Sequence, residues 1–249
     1  MNNKGKKVLV LRSPGTNCDY EASHAMKRAG AEVTEAHINS LLRKEIKLID
    51  YQMLFLPGGF SYGDYLGSAK ILANKLTLKL GNELKEFIKE DNLVIGICNG
   101  FQVLVKAGLL PGNNKATLTF NDSGSFICKW VELKNVNKGK CIFSKGIDSL
   151  RVPIAHGEGK FVPENAKALK ELYDNDQVVF KYKENPNGSV DDIAGICDET
   201  GRVFGLMPHP ERNQYGWQDP ISYRKNFEEK GEGFKVFENA VSYLSKKKL

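Results

Sequence analysis

Short apolar runs alternate with amphipathic stretches over the first hundred residues of the chain. Four runs have the length of buried strands, at residues 7–11, 32–37, 51–56 and 93–97. Helical patterns lie between and after them, at 20–29, at about 69–90 with a break at Gly81, and at about 100–107. Asp19 is expected to cap the first helix and Gly30 to end it. This alternation predicts a parallel sheet covered by helices on both faces.

The second half of the chain has a different pattern. An alternating run at 126–133 and three apolar runs at 177–182, 193–197 and 203–207 indicate further strands. Asn187-Gly188 and Thr200-Gly201 are turn signals of the hairpin type, and a last helix is expected at 234–244. The predicted fold class is therefore α/β, an open and mostly parallel sheet with added antiparallel strands. Without a linker, a low-complexity segment or an internal repeat, one domain is expected over residues 1–249.

Charge and composition exclude several classes of function. The 249 residues carry a net charge of +6, with 41% apolar and 27% charged residues, as in ordinary globular proteins. The excess charge equals six lysines in two short basic tails: Lys4, Lys6, Lys7, Lys246, Lys247 and Lys248. The body of the protein is neutral, so the basic pI does not indicate nucleic-acid binding.

Targeting and redox signals point to the cytoplasm. The apolar run at 8–11 is too short for a signal peptide, and polar residues and glycines interrupt the apolar stretch 93–110, which excludes a membrane span. The five cysteines are scattered, odd in number and without CxxC spacing. This distribution predicts free thiols in a reducing compartment rather than a disulfide framework or a metal site.

The strongest local motif is Gly96-Ile97-Cys98-Asn99-Gly100, which follows the fourth predicted strand directly and precedes a helical pattern. It matches the nucleophile elbow G-x-S-x-G with Cys in place of Ser. Such a turn holds the thiol at the C-terminal edge of the sheet and at a helix N-terminus, where the dipole stabilises a thiolate. Cys98 is therefore a candidate nucleophile. The alternative for this motif alone is a buried structural cysteine.

A second candidate pair is His209 and Glu211, in the segment Met-Pro-His-Pro-Glu-Arg after the strand at 203–207. The flanking prolines oppose a continuing helix, and in an extended segment alternate side chains point to the same side. Glu211 can therefore orient one ring nitrogen of His209 while the other faces a nucleophile, as in a catalytic triad. A histidine at a strand end is more often structural, but the cysteine elbow favours catalysis here.

The glycines of Pro57-Gly58-Gly59 follow the third predicted strand. They allow backbone N–H groups to approach a ligand, and with the amide of Asn99 they can form an oxyanion hole. Glycines also permit a peptide to rotate, which predicts a hinge that holds the free chain nearly inactive. Taken alone, Pro-Gly-Gly is only a turn.

Six segments carry a resemblance to a known family: Asn17-Cys18-Asp19, LPGGFSYGDYL at 56–66, GICNGFQ at 96–102, AGLLPG at 107–112, AHGEG at 155–159 and GLMPHPER at 205–212. In this order they resemble the glutaminase subunits of phosphoribosylformylglycinamidine synthases, enzymes of purine biosynthesis. These subunits are class I, triad-type glutamine amidotransferases with a flavodoxin-like fold. The Asn after the nucleophile and the AHGEG segment separate them from other amidotransferases.

The resemblance implies a role for each matching residue. Cys98 attacks the glutamine amide and forms a γ-glutamyl thioester, while His209 acts as base and acid and Glu211 orients it. Backbone amides of Gly59 and Asn99 hold the oxyanion. Four further residues would bind glutamine: Gln102, and His156, Gly157 and Glu158 at its amino-acid head.

The resemblance also implies partners. Ammonia would pass through a channel to a large synthetase subunit, which converts formylglycinamide ribonucleotide to the amidine with ATP and Mg, and a small subunit would bridge the two. The chain itself is expected to hold no cofactor and no metal, and to bind neither nucleic acid nor membrane. It has no G-x-x-x-x-G-K-[ST] and no G-x-G-x-x-G, so the ATP chemistry belongs to the partner.

The sequence departs from the family pattern in three places. Gly67-Ser68-Ala69-Lys70 follows Gly-Asp-Tyr-Leu where the family usually has an Arg, Lys129 precedes Trp130 in place of an Arg, and an insertion lies between Arg212 and Gly233. Two other functions are open alternatives: a different elbow-cysteine hydrolase, such as a γ-glutamyl hydrolase or a stress-type cysteine protein, and a non-catalytic glutamine-sensing module. The first would not need Gln102 or the AHGEG segment, and the second would have lost a triad residue.

Overall fold

Residues 6–112, 115–222 and 230–246 are described by the computed structural model. Within these residues the strands are β1 (Lys7–Arg12), β2 (Glu32–His37), β3 (Met53–Leu56), β4 (Leu93–Ile97), β5 (Ala116–Thr119), β6 (Ile127–Asn135), β7 (Ser149–His156), β8 (Lys160–Pro163), β9 (Val178–Tyr182), β10 (Ile193–Cys197) and β11 (Val203–Leu206). The α-helices are α1 (Asp19–Arg28), α2 (Ile38–Leu42), α3 (Lys70–Lys89), α4 (Asn99–Lys106), α5 (Ala166–Asp174) and α6 (Phe234–Lys246).

Nine strands form one sheet, in the order β2-β1-β3-β4-β11-β10-β9-β6-β7, and β5 pairs with β8 separately. The strands from β2 to β11 run parallel, and the strands from β10 to β7 are joined antiparallel. Every residue of β3 and β4 is buried, as expected for strands covered on both faces. The predicted fold class is confirmed, with the carboxyl ends of β3, β4 and β11 side by side.

Two helix predictions need correction. Helix α3 continues through Gly81 for 20 residues, because buried side chains recur every three to four positions on both sides of the glycine. Helix α1 has Cys18, not Asp19, at its cap position, because Asp19 lies in the first turn and pairs with Arg12 at 2.5 Å. Gly30 follows the end of this helix with a φ of +97°, as predicted.

Strand β7 was not predicted from the sequence. Its backbone carbonyl groups contact the residues that follow β4 and β11. Pro153 lies in its middle, and a proline inside a run argues against a central strand. In the structure β7 is the edge strand of the sheet, where the missing N–H costs nothing. The carbonyl of Pro153 accepts a hydrogen bond from the backbone N–H of His209 at 2.8 Å, which ties β7 to the segment after β11.

No helix within the described residues is long and apolar enough to cross a membrane. One cluster of buried apolar side chains extends from β1 to α6. Of the predicted basic tails, Lys4, Lys247 and Lys248 lie outside the described residues, as does part of the insertion after Arg212.

Candidate active site

Cys98 stands on a strained turn between β4 and α4. Its φ of 52° and ψ of −109° are unusual for a residue other than glycine. The turn requires the flanking glycines: a Cβ on Gly96 would lie 2.5 Å from the carbonyl oxygen of Gly100, and a Cβ on Gly100 would collide with the carbonyl oxygen of Leu56. The predicted elbow geometry is present, with the thiol at the N-terminus of α4 and 3.6 Å from the carbonyl oxygen of Ala155.

His209 and Glu211 form a buried pair on the one-turn helix after β11. Nδ1 of His209 lies 2.6 Å from Oε1 of Glu211, and both residues are 1% exposed. Nε2 of His209 has no hydrogen-bond partner among the described residues. Burial lowers the pKa of His209, but the charges of Glu211 and Cys98 outweigh it and hold this pKa well above its ordinary value. The pair can therefore orient the imidazole and stabilise its cation.

A single cavity of about 110 Å³ brings the nucleophile and the base together. Its walls are formed by Asn17, Cys18, Gly59, Phe60, Cys98, Phe126, Ala155, His209 and Arg212. Gly58 packs beneath it: a Cβ there would lie 2.9 Å from Cε1 of His209 and 3.4 Å from Cβ of Cys98. The glycine lets the base and the nucleophile approach the same point.

The two expected oxyanion donors are the backbone N–H groups of Gly59 and Asn99. Asn99 is the first residue of α4, so its N–H has no partner within the helix. Gly59 has a φ of +143°, and a Cβ on it would lie 2.5 Å from the carbonyl oxygen of Gly15. Within the described part of the chain no group accepts a hydrogen bond from either backbone N–H. Gly59 lines the cavity and Asn99 follows Cys98 directly, so these two N–H groups stay the predicted donors to a negative charge that forms there.

The glycine turn is held more firmly than its sequence suggests. The carbonyl of Gly58 accepts hydrogen bonds from the N–H groups of Asn17 and Cys18, at 3.3 and 3.2 Å. On the other side of Gly59, the N–H of Phe60 donates to the carbonyl of Gly15 at 2.8 Å. These bonds hold the turn in the conformation described, and the expected hinge at this position stays a prediction.

Gln102, His156, Gly157 and Glu158 lie next to the cavity but do not line it. Nε2 of Gln102 donates to the carbonyl of Glu158 at 2.6 Å, and its Oε1 accepts from Asn99. The carbonyl of Gly157 accepts from the N–H of Asn121 at 2.9 Å, and the Glu158 carboxylate lies 3.8 Å from Nζ of Lys106. The structure thus places these residues behind the cavity wall, and their direct contact with glutamine stays a prediction.

His156 is held as a neutral imidazole. Oδ1 of Asn121 accepts from the N–H of Gly159 and lies 3.1 Å from Nδ1 of His156, so the imidazole proton sits on Nδ1. Burial first, and then the charge of His209, lower the pKa of His156 to about 4. His156 is therefore a poor candidate for the general base, and His209 stays the predicted base.

Three features of the site were missed from the sequence. The carbonyl of Ala155, on β7, lies 3.6 Å from the sulfur of Cys98, and no local sequence pattern predicts this contact between distant segments. Phe60 and Phe126 stand at the mouth with ring centroids 6.2 Å apart, and aromatic residues after predicted strands were an available hint. Arg212 was quoted within a motif without a role, and it lines the cavity.

One cluster of described residues could offer three ligands to a metal ion. The donor atoms of Cys18, His209 and Glu211 lie within 4.8 Å of one another. Two of them already bond to each other, and the sulfur accepts from the Arg212 guanidinium at 3.0 Å. A permanent cation beside the sulfur opposes the binding of a second cation. The geometry suits an imidazole–carboxylate pair better than a metal centre.

Comparisons with known proteins agree with this geometry. A family model described as a CobB/CobQ-like glutamine amidotransferase domain matches residues 5–244. Phosphoribosylformylglycinamidine synthase subunit PurQ of Dehalococcoides mccartyi is 48% identical over 247 residues, which cover 95% of this chain and 97% of that protein. The PurQ subunit of Archaeoglobus fulgidus is 40% identical over 276 residues, which cover 99% of this chain and 100% of that protein.

A solved structure shares both the fold and the sequence. A chain in the structure of PurLQS from Thermotoga maritima superposes with a TM-score of 0.79 at 37% identity, covering 96% of this chain and 99% of that one. The resemblance predicted from the sequence motifs is thereby confirmed. By these matches over nearly its whole length, the chain belongs to the CobB/CobQ-like glutamine amidotransferase family and, within it, to the PurQ subunits of phosphoribosylformylglycinamidine synthase.

Proposed function

We propose that this chain is the glutaminase subunit of phosphoribosylformylglycinamidine synthase in de novo purine biosynthesis. It hydrolyses glutamine to glutamate and ammonia and delivers the ammonia to a synthetase subunit, which makes formylglycinamidine ribonucleotide from formylglycinamide ribonucleotide with ATP and Mg. One observation carries the proposal: Cys98 and His209, whose Nδ1 contacts Glu211, line one cavity together with Gly59, in a chain 48% identical to a PurQ subunit.

The reaction begins with proton transfer from Cys98 to Nε2 of His209, the ring nitrogen that is free of Glu211. The thiolate attacks the side-chain amide carbon of glutamine, and the amide oxygen takes the negative charge between the N–H groups of Gly59 and Asn99. His209 then gives its proton to the leaving nitrogen, so that ammonia departs and a γ-glutamyl thioester remains. Water, deprotonated by His209, cleaves the thioester and releases glutamate.

Glu211 supports both halves of this cycle. Its carboxylate accepts from Nδ1, which leaves Nε2 as the acceptor in the resting imidazole. In the thiolate state the same carboxylate lies against the imidazolium cation. Burial lowers the pKa of His209, but the charge of Glu211 leads the influences that raise it well above its ordinary value, so the carboxylate favours the cation that forms when Nε2 takes a proton.

The synthetase subunit docks over the mouth of the cavity, and a small third subunit bridges the assembly. This docking position is supported by exposed apolar side chains at and near the mouth of the cavity: Phe60 (46% exposed), Phe126 (54%), Tyr65 (88%) and Leu66 (72%). Such residues would exclude water from the path of ammonia. This chain needs no cofactor of its own, since ATP and Mg serve the partner. We place the enzyme in the cytoplasm, supported by five free cysteines.

The test is to mix the chain with a candidate synthetase, ATP, Mg and formylglycinamide ribonucleotide, and to assay amidine formation with glutamine as the nitrogen source. Glutamine-dependent product that requires both proteins is the expected result. Glutamine or γ-glutamyl peptide hydrolysis at full rate without any partner, together with no amidine in the mixture, would favour a γ-glutamyl hydrolase instead.

A further inference from the structure

Asn99 makes more contacts in the site than its backbone amide alone. Its side-chain Oδ1 accepts a hydrogen bond from the N–H of Ser61 at 3.1 Å. Its Nδ2 donates to Oδ1 of Asp64 at 3.2 Å and to Oε1 of Gln102 at 2.9 Å. Asn99 is 3% exposed, so these bonds form in a buried environment. One side chain thus joins the helix of the nucleophile to the segment 57–69.

The segment 57–69 carries the other oxyanion donor, and its backbone is strained. Tyr62, Asp64 and Ala69 have φ values of 55°, 52° and 64°, each in the left-handed region that residues with a Cβ rarely adopt. Oδ1 of Asp64 also accepts from the N–H of Ala69 at 2.9 Å. A segment with this strain keeps one conformation only where the surrounding structure fixes it. Asp64 and Asn99 supply part of that restraint, beside the backbone bonds of residues 58–62 to residues 14–18.

We propose that the Asn99 side chain is a positioning residue for the oxyanion hole. Through its bond from Ser61 it helps to fix the segment 57–69, and with it the N–H of Gly59, relative to the backbone N–H that Asn99 itself supplies. The proposal rests on the glutaminase function argued above. It goes beyond that function because it gives the buried Asn99 amide and its partner Asp64 a share in the spacing of the two oxyanion donors, beside the backbone bonds around Gly59.

The charge state of Asp64 determines how this contact responds to substitution. The groups that act on its carboxylate are Glu158, whose charge opposes ionisation, and Lys106, which lies 3.8 Å from Glu158 and interacts with both acids. Lys70 in turn acts on Lys106. Burial and the nearby Glu158 raise the pKa of Asp64 above its ordinary value. A carboxylate introduced at position 99 would therefore lie beside Asp64, whose ionisation is already disfavoured.

Asn99→Asp is the informative variant, because it keeps the size and the acceptor for Ser61 but replaces the donor by a carboxylate. Two carboxylates at this distance share a proton at low pH, because the charge of one opposes ionisation of the other, and they repel each other at high pH, where both become charged. We expect kcat at pH 8 to fall by about tenfold to a hundredfold, within the range for a misplaced oxyanion donor, with KM changed by less than about twofold.

The pH profile and a swapped pair distinguish this role from general structural support. The ratio of kcat for Asn99→Asp to kcat for the parent should rise as pH falls from 8 to 6. In the double variant Asn99→Asp/Asp64→Asn, the amide now lies on the other partner and can donate across the same contact. Its kcat at pH 8 should exceed that of Asn99→Asp at least threefold, on the scale of about 0.7 kcal/mol for one recovered hydrogen bond.

The assay uses the complex with the synthetase, and iodoacetamide labelling of Cys98 with a thermal unfolding curve reports whether each variant is folded with its thiol accessible. A flat kcat ratio between pH 6 and 8, or a double variant no more active than Asn99→Asp, would overturn the proposal. A parent complex that does not hydrolyse glutamine at all would instead refute the proposed function. The two failures are therefore distinguishable.

Discussion

The guanidinium of Arg212 donates a hydrogen bond to the sulfur of Cys18 at 3.0 Å, beside the cavity that holds Cys98. The Cys18 thiol also donates to the side chain of Asn17 at 3.1 Å. Burial, more than any other influence, raises the pKa of Cys18 above its ordinary value. Two thiols thus line one cavity, but Cys18 is engaged on both sides and stays protonated.

This difference predicts a single reactive thiol. An electrophilic glutamine analogue should form one covalent adduct, on Cys98, because Cys18 holds its proton and lies 4.0 Å from Nδ1 of His209, the ring nitrogen that Glu211 already occupies. The measurement is peptide mass spectrometry after labelling, and Cys18→Ala serves as the matched control that should still be labelled. Cys98→Ala should form no adduct while the protein remains folded. An adduct mainly on Cys18 or Cys128 would contradict the assignment of the nucleophile.

The His209–Glu211 contact predicts unequal losses from its two partners. Glu211→Gln keeps an acceptor oxygen for Nδ1 but removes the charge that stabilises the imidazolium, so turnover should fall by about two to four orders of magnitude and remain measurable. His209→Ala removes the base and should be worse. Steady-state glutaminase assays of both variants in the complex check this order. Small and equal effects would show that another group is the base.

His156 predicts a pH dependence of stability. Its pKa is about 4 in the folded protein, because burial and the charge of His209 disfavour the cation, and about 6.5 in the unfolded chain. Between these values the unfolded chain binds more protons, so stability falls as pH drops from 6.5 to 4. The shift corresponds to about 3 kcal/mol.

Denaturant midpoints at several pH values test this expectation. His156→Gln should flatten the acid dependence between pH 6.5 and 4, since an amide can still donate to Asn121 but does not titrate. His24→Gln, at an exposed position on α1, is the control and should leave the slope unchanged. An unaltered slope in His156→Gln would mean that other groups cause the acid sensitivity.

Two glycines in helices predict opposite changes in stability. Gly81 lies within α3, and a Cβ there meets nothing within 4 Å, so Gly81→Ala should stabilise the fold by about 0.5–1 kcal/mol. Gly100→Ala would drive a methyl group into the carbonyl of Leu56 and should destabilise by about 1–3 kcal/mol or prevent folding. Thermal unfolding of both variants gives the comparison. Stabilisation at Gly100 would mean that the elbow is less tightly packed than described.

The parallel core could be predicted because its signals are local. Residues 93–97 form a continuous apolar run that ends at a glycine-flanked cysteine, and the strand and elbow follow that pattern. His209 and Glu211 were predicted as a pair on the expectation of an extended segment, in which alternate side chains point to the same side. The two side chains do meet, at 2.6 Å, but Pro210–Arg212 form one turn of helix with His209 at its N-cap, so the geometric reason was wrong.

The rest of the site depends on contacts between distant segments. Pro153 made β7 hard to predict, although the carbonyl of this proline accepts a hydrogen bond from the N–H of His209. The carbonyl of Ala155, on the same edge strand, contacts the thiol of Cys98. The glycines near Gly59 suggest a turn that can rotate, and only the structure shows the hydrogen bonds from Asn17, Cys18 and Phe60 that hold it in the conformation described. The local sequence determines which conformations a segment can adopt, and contacts with distant segments determine which of them it adopts.

Following the nitrogen itself tests most directly whether the ammonia comes from glutamine at Cys98. The complex of this chain with its synthetase is given amide-¹⁵N glutamine together with unlabelled ammonium chloride, and the isotope content of formylglycinamidine ribonucleotide is measured by mass spectrometry. We expect product carrying ¹⁵N nearly undiluted by the external ammonium, and only unlabelled product when Cys98→Ala replaces the parent chain. Product with the isotope ratio of the mixed solution, or ¹⁵N incorporation that survives Cys98→Ala, would contradict the account.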